Sequence, residues 1–237
     1  MPPDPLASMT PRVRAVVSAL GVTLLGVVAG FASAVALAPL YGAVVPTTSP
    51  FSAVLGGFVV QPGFGAIAAL SLWRADGFDL RDRVRRPTVE GAVWILGGPF
   101  AYEALARGTG HLLAAFGRTP FAGHAGETTS TVAVVVGTPT LAVPVFLMLF
   151  VVMAPMEELL YRGAVHDLLS EGFGRLGRTV LGAGLFGLMH GFLSGGLDSV
   201  VLTGVAGVVF AAGYERTDNL VVPSTTHGLY WLLFAPA

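Results

Sequence analysis

The residues best suited to chemistry are two adjacent glutamates in an otherwise apolar stretch of the chain. Glu157 and Glu158 follow the apolar run Val145–Met156, and Arg162 comes four residues after Glu158. On a helix this spacing places Glu158 and Arg162 on one face, where the two charges can pair. Glu157 points about 100° away from Glu158 and has no partner close in sequence, so we expect it to act as a proton acceptor.

Two histidines lie in further apolar segments, His190 inside one and His227 early in another. If the glutamate helix ends at Arg162, Glu157 lies about one turn from its cytoplasmic end, and His227 and His190 lie about 10 Å and 16 Å from the ends of theirs. An ionisable group within a bilayer costs roughly 2.5–3.5 kcal/mol or more. Three such groups at similar depth on three helices predict one shared site.

Such a site has two chemical options, and both lead to hydrolysis of an amide bond. In one, Glu157, His190 and His227 bind Zn²⁺ and leave a position open for water. In the other, which is metal-free, Glu157 with His190 activates water and His227 stabilises the oxyanion. The sequence contains no cysteine, His-Glu-x-x-His or Gly-x-Ser-x-Gly motif, or buried aspartate pair, so other intramembrane hydrolase chemistries are not supported.

The composition predicts that lipid surrounds these residues. The chain has 237 residues, of which 54% are apolar and 11% charged, and its mean hydropathy is +0.75. Soluble domains carry about 25% charged residues, so the lipid bilayer is the expected environment. The net charge of −1 provides no basic surface, and we expect no nucleic-acid partner.

The apolar runs predict an all-α, polytopic transmembrane bundle of six to eight helices, with seven or eight favoured. The candidate spans are Val13–Leu40, Phe51–Trp73, Val89–Leu105, Pro139–Arg162, Thr179–Leu193, Leu197–Tyr214 and Leu220–Phe234. We expect a kink in the second span, at Gln61-Pro62-Gly63. The five arginines of Arg74–Arg86 predict a cytoplasmic linker. The protein is therefore expected in the cell membrane, with its N-terminus and the opening of its site facing the cytoplasm.

Three motifs, in order, resemble those of the CPBP family. They are Glu157-Glu158-x-x-x-Arg162, Phe186-x-x-x-His190 and His227. The family includes type II CAAX prenyl endopeptidases and Abi-type bacteriocin-immunity membrane proteins, and the resemblance covers Val143–Phe234. It implies N-terminal transmembrane helices and loops over residues 1–130 and a CPBP-like catalytic core over residues 131–237, within one membrane domain.

The resemblance also implies roles for individual residues. Glu157 looks like the general base that activates water, with His190 as its partner, and Glu158 and Arg162 look like the supporting pair. Phe186 looks like a packing residue beside the site.

The last motif departs from the family pattern. His227 looks like the first residue of the family's oxyanion-stabilising His-x-x-x-Asn motif, but Trp231 stands in place of Asn. Trp has one N–H donor and is much larger, so it would either donate to the oxyanion or block the pocket. This substitution puts activity in doubt.

The implied function is an intramembrane endopeptidase that cleaves a membrane-anchored peptide or protein. One branch of the family also implies a prenylated substrate. The alternative is a non-catalytic membrane protein that binds a peptide or partner, in an immunity or scaffold role, with Trp231 filling the pocket. A proton-coupled transporter using Glu103 and Glu157 would call for inverted repeats, which the sequence does not show.

Overall fold

The computed structural model describes residues 8–44, 57–75, 79–118, 131–194 and 196–234, and the regular structure within these ranges is helical throughout. We number the helices α1 (Pro11–Val44), α2 (Gln61–Arg74), α3 (Leu80–Arg83), α4 (Val89–Ala115), α5 (Thr131–Gly137), α6 (Pro139–Ser170), α7 (Arg175–Ser194), α8 (Leu197–Thr217) and α9 (Val221–Leu233). All but α3 and α5 are at least 13 residues long, and each of these seven overlaps a predicted span. The predicted all-α bundle is confirmed.

Four helices of the described chain have both the length and the apolar character needed to cross a bilayer. They are Pro11–Ala43, Pro139–Ser170, Arg175–Leu193 and Leu197–Thr217. In α1, Leu25, Val28 and Val35 are between 57% and 76% exposed, which suits contact with lipid tails. These features support a membrane protein.

The helix that carries the glutamates is longer than predicted. Helix α6 continues past Arg162 to Ser170, because Arg162 pairs with Glu158 inside the bundle and does not mark the helix end. Glu157 is therefore about 20 Å from the C-terminal end of α6, and the prediction that it lies about one turn from that end is wrong.

The predicted kink at Gln61 is also wrong. A short 3₁₀ turn, Gly57–Val59, comes just before, and α2 begins at Gln61. Pro62 suits the first turn of a helix because its missing N–H has no intrahelical partner there. Residues 51–56 of the predicted span lie outside the described residues.

Two stretches of π-helix interrupt α6 on either side of the glutamates. They are Met148–Met153 and Leu159–Val165, and they flank the α-helical segment Ala154–Glu158. Such stretches are rare and are often found at functional sites. Both glutamates face the interior, since Glu157 is 5% and Glu158 0% exposed.

Glycines allow the closest helix contacts around this interior. A Cβ on Gly63 of α2 would lie 2.2 Å from the carbonyl oxygen of Ala29 in α1. One on Gly187 of α7 would lie 2.3 Å from the carbonyl oxygen of Val200 in α8. Neither backbone contact leaves room for a side chain, so these positions fix how the two helix pairs approach each other.

Candidate active site

The centre of the candidate site is an ion pair within α6. Nη1 of Arg162 lies 3.0 Å from Oε2 and 3.2 Å from Oε1 of Glu158, which confirms the contact predicted from the i, i+4 spacing. Nη2 of Arg162 donates to the carbonyl oxygen of Gly207 in α8 at 2.9 Å. Both side chains are at most 2% exposed, so each depends on the other for charge compensation.

His227 of α9 contacts this ion pair through one ring nitrogen and Trp231 through the other. Its Nδ1 lies 3.0 Å from Oε1 of Glu158, and its Nε2 lies 3.1 Å from Nε1 of Trp231. The indole N–H can only donate, so Nε2 is the acceptor. Nδ1 therefore carries the proton and donates it to Glu158. In this arrangement Nε2 has no hydrogen to offer an oxyanion.

In His190 of α7, Nδ1 is engaged and Nε2 takes part in none of the described hydrogen bonds. Its Nδ1 lies 3.0 Å from the carbonyl oxygen of Phe186, and since a carbonyl only accepts, Nδ1 carries the proton. In the neutral ring Nε2 is left with a lone pair that can accept a proton from water.

The ring of Phe186 contacts both histidines. Its centroid is 4.5 Å from that of His190 and 5.9 Å from that of His227. Phe210 of α8 stacks on His227 at 4.6 Å. The Arg162 guanidinium lies 4.9 Å from the Phe186 ring and 5.5 Å from the Phe210 ring, where cation–π attraction helps to hold it. The two aromatic rings thus unite the charged pair and both imidazoles in one apolar enclosure.

Glu157 is held from a different direction. Its Oε1 accepts a hydrogen bond from Nε2 of Gln61 in α2 at 2.9 Å. Its Oε2 is buried and has no hydrogen-bond partner among the described residues. None of the described hydrogen bonds or ion pairs joins Glu157 to His190 or His227. The sharing of one water by these three residues therefore stays a prediction.

The arrangement does not fit the Zn²⁺ option. Within the described ranges, no three His, Asp or Glu side chains are grouped so that they could hold a metal ion. Both ring nitrogens of His227 are also engaged, by Glu158 and by Trp231. A ligand nitrogen must present a free lone pair to the metal, and His227 has none in this arrangement.

Sequence reasoning assigned no role in the site to Gln61. It is 2% exposed, yet it was interpreted only as part of a helix kink. A buried amide in an apolar segment was the available signal, because such a group requires hydrogen-bond partners. Its partner is 96 positions away along the chain, and nothing in the sequence relates the two.

A second polar cluster lies further along α6, about 13 Å from Glu157 at the helical rise. His166 Nε2 is 2.9 Å from Oε1 of Glu215, and Arg83 donates at 2.7 Å to both Asp167 and Tyr214. Burial lowers the pKa of Arg83, but these hydrogen bonds more than offset it and the pKa is raised. The cluster lines a cavity of about 380 Å³, separate from the glutamate site.

Comparison with protein families supports the same part of the chain. The family described as type II CAAX prenyl endopeptidase Rce1-like matches residues 139–233. Comparisons with curated proteins and with solved structures found no match. The family match confirms the resemblance to the CPBP family over α6–α9, which carry Glu157, His190 and His227. It supports a membrane protease in general terms, and Gln61 lies outside the matched residues.

Proposed function

We propose that this chain, Rce1-like over residues 139–233, is an intramembrane endopeptidase that hydrolyses a peptide bond of a membrane-anchored peptide or protein without a metal ion. One observation carries the proposal. Glu157 is buried, and one of its carboxylate oxygens has no hydrogen-bond partner among the described residues. In the neighbouring Glu158, Oε2 also makes no hydrogen bond, but it lies 3.0 Å from Nη1 of Arg162 in an ion pair, and Oε1 accepts from Arg162 and His227. Among the described contacts, Oε2 of Glu157 has neither a hydrogen bond nor an ion-pair partner, so it is the carboxylate oxygen better placed to take a proton from water.

The proposed reaction is direct attack by water. Oε2 of Glu157 accepts one proton as the water oxygen bonds to the scissile carbonyl carbon, giving a tetrahedral oxyanion. The C–N bond then breaks, and Glu157 returns the proton to the leaving nitrogen. The products are a carboxylic acid and an amine. His190, whose Nδ1–H is bound to Phe186, relays this proton: its Nε2 lone pair accepts it from Glu157 and gives it to the leaving nitrogen.

The oxyanion would be stabilised by His227 after a rearrangement. Its Nε2 must give up the hydrogen bond from the indole N–H of Trp231 and take up one proton from solvent, which it releases again after the oxyanion has collapsed. The carboxylate of Glu158, 3.0 Å from Nδ1, accepts from the Nδ1–H of the ring in both states. The proposed cycle therefore includes rotation of Trp231 away from His227, which opens space for the substrate carbonyl.

The test is cleavage of a lipid-anchored reporter peptide by the purified protein in liposomes. Prenylated and acylated versions of the peptide would reveal whether the anchor matters. We expect Glu157→Gln and His190→Ala each to lower kcat about 10²–10⁴-fold, the usual contribution of an acid–base group. Glu90→Gln, which alters an exposed carboxylate at the start of α4, is the matched control. Wild-type rates in both site variants would refute the proposal.

A second candidate function is favoured by the contact between Trp231 and His227. Because the indole occupies the nitrogen that would face the oxyanion, the site also suits a protein that binds a peptide without cleaving it, in an immunity or scaffold role. Trp231→Asn separates the two candidates. Peptide binding with no turnover, even in this variant, would favour the non-catalytic function.

A further inference from the structure

We infer that Gln61 is a positioning residue that holds Glu157 and, together with it, binds the attacking water. This deepens the proposed function and rests on it. Gln61 belongs to α2, outside residues 139–233 that match the Rce1-like family. The inference therefore assigns a part of the site to the half of the chain in which the sequence showed no motif.

The first argument is the hydrogen bond itself. Nε2 of Gln61 donates to Oε1 of Glu157 at 2.9 Å, with both side chains at most 5% exposed. An ionised carboxylate can only accept, which determines that the amide nitrogen and not its oxygen faces Glu157. A hydrogen bond to a charged acceptor in an apolar interior is among the stronger ones, so it orients the carboxylate.

The second argument is that the hydrogen bond uses only one polar atom of each side chain and leaves one oxygen of each without a partner among the described residues. Oε1 of Gln61 and Oε2 of Glu157 are both buried, and neither has a hydrogen-bond partner among the described residues. They belong to the two groups that the 2.9 Å bond joins. Two unsatisfied acceptors on adjoining groups match a molecule with two donors, and water is the smallest such molecule.

The chemistry of attack needs this arrangement. One water hydrogen points at Oε2 of Glu157 and is transferred as the oxygen attacks the carbonyl carbon. The other hydrogen points at Oε1 of Gln61 and stays on the oxygen. With both hydrogens directed into the protein, the oxygen lone pair faces the substrate, which is the orientation a near-attack geometry requires.

The packing around Gln61 holds it in place. Two residues along α2, Gly63 lies against the backbone of α1, where a Cβ would be 2.2 Å from the carbonyl oxygen of Ala29. One turn along, a Cβ on Gly65 would lie 3.1 Å from Sδ of Met156, the residue before Glu157. The start of α2 is therefore fixed against α1 and α6 together.

The experiment measures kcat and KM for Gln61→Met, which keeps the side-chain length and removes both polar atoms. We expect kcat to fall about 10²-fold, as for small displacements of reacting groups, with KM within about twofold. Gln61→Asn, which keeps the amide but withdraws it by one methylene, should show the same split. Thr203→Val is the matched control, because Thr203 is a partly buried residue of α8 whose described side-chain hydrogen bond is local, to the carbonyl oxygen of Ser199.

A double-mutant comparison separates positioning from a purely structural role. Glu157→Asp withdraws the carboxylate by one methylene and should break the 2.9 Å bond to Gln61, so in this background Gln61→Met is expected to lower kcat far less than in the wild type. An equal loss in both backgrounds, or a wild-type kcat in Gln61→Met and Gln61→Asn, would overturn the inference. If Glu157→Gln itself cleaves normally, the proposed function fails instead, so the two failures are distinguishable.

Discussion

At the scale of single residues, hydrogen-bond donors and acceptors assign a state to each histidine. Trp231 donates to Nε2 of His227, and a backbone carbonyl accepts from Nδ1 of His190. Both imidazoles therefore carry their proton on Nδ1, and they differ in Nε2, which accepts from Trp231 in His227 and has no described hydrogen bond in His190. The i, i+4 spacing predicted the contact between Glu158 and Arg162. It could not predict the bond between His227 and Glu158, because these residues lie on different helices and are 69 positions apart in the chain.

Replacing Trp231 should raise the activity. In Trp231→Asn, Nε2 of His227 becomes available and the amide adds a donor. Because one oxyanion donor is worth about 10²–10³ in kcat, we expect kcat for the lipid-anchored peptide to rise by about tenfold or more. Trp231→Phe, which removes the indole N–H but keeps an aromatic ring, should give a smaller increase. Lower activity in Trp231→Asn than in the wild type would show that the indole itself is the donor.

At the scale of helices, the apolar runs predicted the positions of most helices. They gave a wrong helix end where a charged residue forms an ion pair inside the bundle. Helix α6 was expected to end at Arg162, yet it continues to Ser170. Because Arg162 pairs with Glu158, its charge can stay inside the bundle and does not have to lie at a helix end. The π-helical stretches beside the glutamates have no signature in the hydrophobic pattern. Helix α7 was expected to begin at Thr179 and begins about one turn earlier, at Arg175.

The contact between α1 and α2 should be essential for the site. Gly63→Ala would place a Cβ 2.2 Å from a backbone oxygen, which side-chain movement cannot relieve. We expect a loss of stability of at least about 1–3 kcal/mol. We also expect a lower kcat, because Gln61 would move with the start of α2.

Gly97→Ala is the matched control, since a Cβ there meets nothing within 4 Å. Thermal unfolding in detergent and peptide cleavage would both be measured. Equal behaviour of the two variants would contradict this account of the packing.

At the scale of the whole molecule, composition was enough to predict a helical membrane protein. The chain has fewer charged residues than the surface of a soluble protein requires, so a lipid environment was expected. What composition could not predict is how α2, α6, α7 and α9 are arranged around one interior. That arrangement depends on glycine contacts and buried hydrogen bonds between distant positions. The division into residues 1–130 and 131–237 stays a prediction, and the bond between Gln61 and Glu157 crosses it.

The orientation in the membrane also stays a prediction, and it is open to a clean test. The chain has no cysteine, so single-cysteine variants carry one thiol each. Asp82→Cys in α3 and Phe116→Cys after α4 both change exposed residues. The arginine distribution predicts that an impermeant thiol reagent added to intact cells labels only Phe116→Cys, with Asp82→Cys labelled after permeabilisation. The reverse pattern would place the arginine-rich linker outside.

The most direct measurement is the single-turnover rate of peptide hydrolysis with enzyme in excess, comparing the wild type with Glu157→Gln at matched thermal stability. If the free oxygen of Glu157 takes the proton from water, the first-order rate constant falls by about 10² or more while the peptide still binds. A variant that hydrolyses the bound peptide as fast as the wild type would contradict the assignment of Glu157 as the base.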